Sequence, residues 1–298
     1  YNDITLKVDL SNSISQIKAD IVQDSLGYTG KNVIVGILDS GIDYMHPALG
    51  GGFGPEYKVI GGYDFINDDE DPMDDRGHGT HVAGIVAAEG DSIVGVAPDA
   101  KLLAVKVMDA NGEGNISDVI AGIEYCFDPD GNINTDDGAD ILNMSFSGYT
   151  ESPNPLDSIV SYIDKAGILS VAAAGNRYDE STIGTPGTAQ QALTVGACDK
   201  FFNKIYFSSE GPDPIHELLK PEDVAPGVTI RSTVLDGKYD EHSGTSMAAP
   251  HIAGVAALIK EKYPDIFPTD LKSIIVNNAQ EMPDEKIYAV GNGCVNAL

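Results

Sequence analysis

Short apolar runs separated by helix-periodic stretches constrain this chain more than any other feature. NVIVGILD (32–39) is apolar almost throughout, the pattern of a strand buried on both faces. Comparable runs follow at LLAVKV (102–107), ADILNMSF (139–146), ILSVAAAG (168–175) and ALTVGA (192–197). Between them GTHVAGIVAAE (79–89), SDVIAGIEYCF (117–127) and PLDSIVSYIDKAG (155–167) carry apolar residues at helical spacing. Two more helices are expected, one from Ser246 through VAALIKEKY and one at TDLKSIIVNNAQ (269–280). Strand, helix, strand in repetition predicts an α/β fold with a mostly parallel central sheet and helices on both faces. No repeat, low-complexity tract or Pro/Ser linker interrupts the pattern, so residues 1–298 read as one domain.

The charge balance narrows the partners. With 46 acidic and 18 basic side chains the formal charge is −28, which repels nucleic acid. No apolar run approaches the roughly 20 residues of a membrane span. Cys126, Cys198 and Cys294 form no CxxC pair and imply neither a disulfide framework nor a zinc site. The chain opens at Tyr1 without a methionine or signal peptide, as a processed or excised chain would.

Functional groups of open α/β sheets sit beyond the carboxyl ends of strands. Asp39 stands there, opening DSGID, although Asp also closes strands without further purpose. RGHGTHVAG (76–84) sets His78 between two glycines at a helix start, leaving room for a substrate to approach the imidazole. His81 follows one turn later, but the pair lacks HExxH spacing, so His81 is expected to be a packed helix residue. AAAGN (172–176) ends a strand with Asn176, either an oxyanion donor or a plain Gly-Asn turn. GTSMAAP (244–250) puts Ser246 where turn becomes helix, as a nucleophile at the positive helix end or as a simple cap. On that helix His251 lies about 7.5 Å along the axis and about 140° around from Ser246, aimed away from it. His242 could approach Ser246, but no orienting carboxylate stands beside it in sequence.

Taken together and in this order, DSGID, HGTHVAG, AAAGN and GTSMAAPH resemble the signature of the subtilisin-like serine proteases. The resemblance runs from SQIKADIVQDSLGYTG (15–30) to the closing GNGCVNAL, leaving residues 1–14 as an N-terminal extension. An α/β-hydrolase is excluded, because Ala248 breaks GxSxG and the acid and histidine precede the serine. The resemblance implies a three-layer fold and a serine endopeptidase. It makes Ser246 the nucleophile, His78 the general base and then acid, and Asp39 the group that orients the imidazole. Asn176, with the Ser246 backbone N–H, would bind the oxyanion. The substrates are proteins or peptides held between Gly112, Glu113 and Gly114 on one side and Ser145, Phe146 and Ser147 on the other. Gly184 would lie at the base of an open primary pocket of broad specificity, and Arg177 would also admit acidic side chains. No organic cofactor, nucleic acid or membrane is involved. A prosegment removed ahead of Tyr1, serving as folding aid and inhibitor, and secretion from the cell are further expectations.

Calcium is where the chain departs from that family. Ala48 replaces a ligand carboxylate, the loop 87–98 is short, and Val8 stands at the amino-terminal ligand position, so the usual tight site is expected to be lost. GYDFINDDEDPMDDRGHG (62–79) resembles a thermitase-type loop, with Asp64, Asp69 and Asp71 as calcium ligands or as a solvated acidic turn. FDPDGNINTDDGAD (127–140) approaches an EF-hand loop but carries its glycine at the fourth position rather than the sixth, and reads as an insertion like those of larger, Vpr-like subtilases. An inactive binding module and a calcium-dependent adhesion domain are the rival classes. The intact set of Asp39, His78, Asn176 and Ser246 argues against the first, and the second leaves four motifs in one order unexplained.

Overall fold

The computed structural model describes residues 11–298 apart from 133, 136 and 150–153. Most of the extension, with Val8, lies outside the described residues. Seven parallel strands form the central sheet: β1 (Ile34–Asp39), β2 (Val59–Asp64), β3 (Lys101–Lys106), β4 (Ile141–Met144), β5 (Leu169–Ala173), β6 (Leu193–Cys198) and β7 (Asp223–Pro226). Their order is β2-β3-β1-β4-β5-β6-β7, so β1 is flanked by β3, with Ile37 opposite Ala104, and by β4, with Ile37 opposite Asn143.

Side chains alternate across this sheet and each face finds its own helices. Val35 and Ile37 join the cluster that contains Val82, Ile85 and Val86 of α1 (His78–Ala87) and Ile252, Val255 and Ala256 of α4 (Thr245–Lys262). Leu38 turns the other way, toward Val119 and Ile123 of α2 (Ile116–Phe127) and Leu156 and Val160 of α3 (Pro155–Lys165). Gly36 permits that second contact, since a Cβ there would lie 2.7 Å from Cys126 Sγ. α5 (Pro268–Asn277) adds Leu271 and Ile275 to the α1–α4 face. Burial on both faces explains why the strands read as continuous apolar runs rather than alternating ones.

Three details differ from the periodicity. β4 and β5 stop at Met144 and Ala173, so the residues that follow leave the ladder for loops at its carboxyl edge. An antiparallel hairpin, β8 (Ile230–Val234) and β9 (Lys238–His242), packs on α1, with Ser232 and Thr233 hydroxyls donating to the carbonyls of His81 and Thr80 at 2.8 and 2.7 Å. The chain's end adds to β7 through Val224 N–H to Gly293 O and Val295 N–H to Val224 O, which brings the buried Cys198 and Cys294 sulfurs within 3.5 Å. The order of strands reverses beside β1: the chain runs to β2 and β3 on one side and to β4–β7 on the other. A crevice therefore opens at the carboxyl ends of β1 and β4.

Candidate active site

Asp39 closes β1 with 2% of its surface exposed. Its Oδ1 accepts from the Ser40 N–H at 2.8 Å and from His78 Nδ1 at 2.7 Å. A carboxylate can only accept, so the Nδ1 proton stays on that side and the Nε2 lone pair of neutral His78 faces away from Asp39. Burial disfavours the imidazolium, but the charge and hydrogen bond of Asp39 outweigh it, and the His78 pKa is raised.

His78 is the first residue of α1, and the start of that helix is fixed from beneath. Gly79 abuts the first turn after β1 so closely that a Cβ would lie 2.1 Å from Gly41 O. Asp74, buried and four residues earlier, takes five donors: Ser40 Oγ, Arg76 N, Gly77 N, Thr80 N and Thr80 Oγ1, at 2.6–2.9 Å. Sequence reasoning passed over Asp74. The available signal was an acid just ahead of a helix start, where orphan N–H groups need an acceptor.

The serine side is built from β4, β5 and α4. Pro250 lies within α4 and lacks the N–H that would bond the Ser246 carbonyl one turn back. Ser145 supplies that bond instead, its hydroxyl donating to Ser246 O at 2.8 Å while accepting from Asn143 Nδ2 at 2.9 Å. Asn176 follows β5. Its Oδ1 accepts from Thr245 N–H and Thr245 Oγ1 at 3.0 and 3.2 Å. Because the backbone partner is a donor, the amide orientation is settled and Nδ2 remains to donate elsewhere. Nδ2 and the Ser246 N–H border one space: a Cβ on Gly244 would lie 3.5 Å from the first and 3.7 Å from the second. Ser246 itself is partly exposed at the end of α4 where the helix dipole is positive. Among the described residues Ser246 makes no hydrogen bond to His78. The structure pairs Asp39 with His78 and Asn176 with the start of α4. A carboxylate-held imidazole, a hydroxyl at a helix start and two convergent N–H donors are the parts that acyl transfer to serine needs.

The Subtilase family profile matches residues 30–293. The chain belongs to the subtilase family. Subtilisin DY of Bacillus licheniformis is 40% identical over 291 residues, covering 95% of each chain, and the serine protease AprX of Bacillus subtilis is 36% identical over 99% of this chain and 72% of its own. The solved structure of a cold-adapted subtilisin-like serine proteinase superposes with a TM-score of 0.78 at 30% identity, covering 91% of this chain and 90% of that one. This subtilase is accordingly a serine endopeptidase with the three-layer α/β fold, acting on protein or peptide substrates.

The residues expected to line the cleft occupy two loops and a glycine-containing turn. Gly112, Glu113 and Gly114 belong to an exposed turn organised by Asp109, which accepts from the Asn111 and Glu113 N–H groups. Gly112 stacks over Arg76, two residues before His78, and a Cβ there would lie 2.6 Å from the guanidinium carbon. Ser145 is buried and bound to Ser246, whereas Phe146 and Ser147 are half-exposed. Gly184 sits beside Ser147 and Gly148 and donates to Ala174 O at 3.1 Å.

The other histidines near the motifs have structural partners. His81 is buried, its Nε2 lies 3.0 Å from Ile230 O, and its ring stacks on His242 at 4.3 Å. Desolvation pushes its pKa down to about 3, so it stays neutral. His251 is also buried, between Met247 O at 2.8 Å and Ser13 Oγ at 2.9 Å. Burial lowers its pKa to about 4.

In the 62–79 loop the residues expected to hold calcium have partners within the protein. Asp64 is buried, its Oδ1 accepts from Ile66 and Asn67 N–H groups, and the Lys106 ammonium stands 3.5 Å from its Oδ2. Asp69 accepts from the Asp71 N–H, and Asp71 from the Tyr44 hydroxyl. Among the described residues, the carboxylates of Asp128, Asp130 and Asp137 are the ones whose oxygens converge within 4.8 Å, and Asp128 Oδ1 is buried without a protein partner.

Two outcomes follow from these environments. Asp39→Asn removes the two largest influences that raise the His78 pKa, leaving the weaker charge of Asp74. With His78 as the general base, the acid limb of kcat/KM shifts to lower pH, and turnover drops on the order of 10⁴-fold. An unmoved limb would contradict the assignment. For His251, the folded-state pKa near 4 lies below the ordinary value of about 6.5, so the unfolded chain binds more protons between the two. Its stabilising effect is complete above about pH 6.5 and is lost toward pH 4, by up to about 1.4 kcal/mol per pH unit. In a Ser246→Ala background that prevents self-digestion, His251→Gln should flatten this slope in denaturant unfolding; parallel curves would refute it.

Proposed function

We propose that Ser246 is the nucleophile of this serine endopeptidase, His78 its general base and then acid, and Asp39 the group that orients and stabilises the imidazolium. The observation that carries the assignment is the 2.7 Å bond from His78 Nδ1 to buried Asp39, with Ser246 beside a fixed Asn176 amide. On attack the Ser246 proton passes to His78 Nε2 and the carbonyl oxygen becomes an oxyanion between Asn176 Nδ2 and the Ser246 N–H. Collapse expels the amine, which takes the proton from His78. Water then repeats the sequence and frees the acid product. The peptide lies extended between 112–114 and 145–147. Gly184, which has no side chain, belongs to the base of a primary pocket that accepts side chains of many sizes.

We assign residues 1–298 to one catalytic domain with residues 1–14 as an extension. Secretion from the cell, and a prosegment that assists folding and inhibits until removed, belong to the same reading; among the described residues no helix is long and apolar enough to cross a membrane. A structural calcium would be held by Asp128, Asp130 and Asp137, hard oxygen ligands that it would draw together across the 127–140 loop.

A fluorophosphonate probe should label the wild type and not Ser246→Ala. Of His78→Ala, His242→Ala and His251→Ala, only the first should abolish turnover in a folded protein, by roughly 10⁶-fold. Unlabelled wild type, or loss of turnover in folded His242→Ala, would overturn these roles. Calcium added to chelator-treated Ser246→Ala protein should raise Tm by several degrees, and Asp130→Asn should remove the rise. An unchanged Tm would withdraw the calcium assignment.

A further inference from the structure

Arg177 directly follows Asn176, the amide beside the reacting centre. Its backbone is anchored, the N–H donating to Ser209 Oγ at 3.1 Å, and its guanidinium stacks over the exposed Tyr149 ring with Cζ 4.3 Å from the centroid. From there it reaches the bare face of Gly184. A Cβ built on Gly184 would meet Gly148 O at 2.7 Å, Ser147 Cβ at 2.9 Å and Arg177 Nη1 at 3.1 Å. That face is thus closely covered by a carbonyl, a small side chain and a cation, and the absence of a side chain at Gly184 is what lets the guanidinium approach. Among the described residues no carboxylate is ion-paired with that cation.

Position relative to the chemistry says which substrate group reaches it. When the scissile carbonyl oxygen lies between Asn176 Nδ2 and the Ser246 N–H, the side chain on the acyl side branches from the adjoining carbon. With the peptide lying along 145–147, the guanidinium that follows Asn176 and stands beside Ser147 and Gly184 is the cation that side chain meets. A guanidinium presents a planar fork of donors suited to a carboxylate, and stacking on an aromatic face holds that fork without consuming its N–H groups.

We propose that Arg177 makes this enzyme prefer an acidic residue, glutamate or aspartate, on the acyl side of the cleaved bond. The proposal rests on the reading of Ser246 and Asn176 as the reacting centre. It adds selection for charge to an otherwise size-tolerant site. The −28 net charge opposes it only at long range: at about 0.15 M salt the Debye length is about 8 Å, so the distant charges are screened while a contact pair at Arg177 is not.

The test uses peptides identical except for Glu, Gln, Asp, Asn or Leu at the acyl position, at about 0.15 M salt. Wild type should favour Glu over Gln, and Asp over Asn, by about tenfold or more in kcat/KM, the worth of one charge-assisted hydrogen bond. Arg177→Gln should bring both ratios to about one, and Arg177→Lys should retain part of the preference. Equal rates for Glu and Gln in wild type that labels with fluorophosphonate and cleaves the Leu peptide would overturn the proposal and leave the endopeptidase centre standing. A preference that survives Arg177→Gln would overturn the assignment to this residue. Wild type that fails to label would overturn the reading beneath it.

Discussion

A carboxylate that the fold takes out of water organises this protein. Burying Asp39 at the end of β1 is costly unless its charge is answered, and the Ser40 N–H and His78 Nδ1 are the answers the structure provides. That requirement ties the first residue of α1 to the last residue of the innermost functional strand. A helix start displaced by one residue would turn the imidazole by about 100° and break the bond. The position is therefore secured independently. Asp74 spends both oxygens on the chain around that start, while Asp39 is left for the ring. Two buried aspartates divide the work: one builds the helix terminus and the other holds the ring of its first residue.

The serine side depends on a complementary device, an absence rather than a charge. Pro250 deprives Ser246 of its normal intrahelical bond, and Ser145 from the end of β4 replaces it. The start of α4 is thereby bonded to the sheet instead of to its own next turn. Asn176 from β5 holds Thr245 in the same way. Two adjacent strand ends at the sheet's carboxyl edge thus fix one helix terminus, which is the rigidity a preorganised oxyanion site demands. Histidines that are close in sequence do not share in it. His81 and His251 are packed where burial keeps them neutral, and neither has a carboxylate against its ring.

What the sequence discloses follows from how local each feature is. The strands, the helices and the four motifs are legible because apolar periodicity and short polar patterns are written in adjacent residues. Asp74 is local as well, yet it reads as one acid among many in DDEDPMDD. The bond from Ser145 to Ser246 spans 101 positions, and the need for it shows only once Pro250 is seen inside a helix. The partners of the acidic loops are hidden for a related reason. Asp64 lies opposite Lys106 in the β2–β3 register, so its charge is met across the sheet by a residue 42 positions away. Clustering along the chain is not convergence in space, and the carboxylates that do converge belong to 127–140.

The same distinction governs the chain's few cations. Lys106 is drawn to Asp64 and Asp75, and Lys220 and Lys272 both close on Glu222. In these positions the scarce positive charge is taken up by the protein's own acids, Asp64 and Glu222 among the less exposed of them. Arg177 is used differently, held by an aromatic face with its fork beside Ser147 and Gly184. A surface of net −28 slows the approach of every acidic peptide, and salt weakens that effect. The contact at Arg177 acts only after arrival, on a carboxylate already out of bulk solvent, where the pairing is stronger and less screened. Encounter and recognition can therefore favour opposite charges in one protein, because overall composition sets the first and the position of a single guanidinium sets the second.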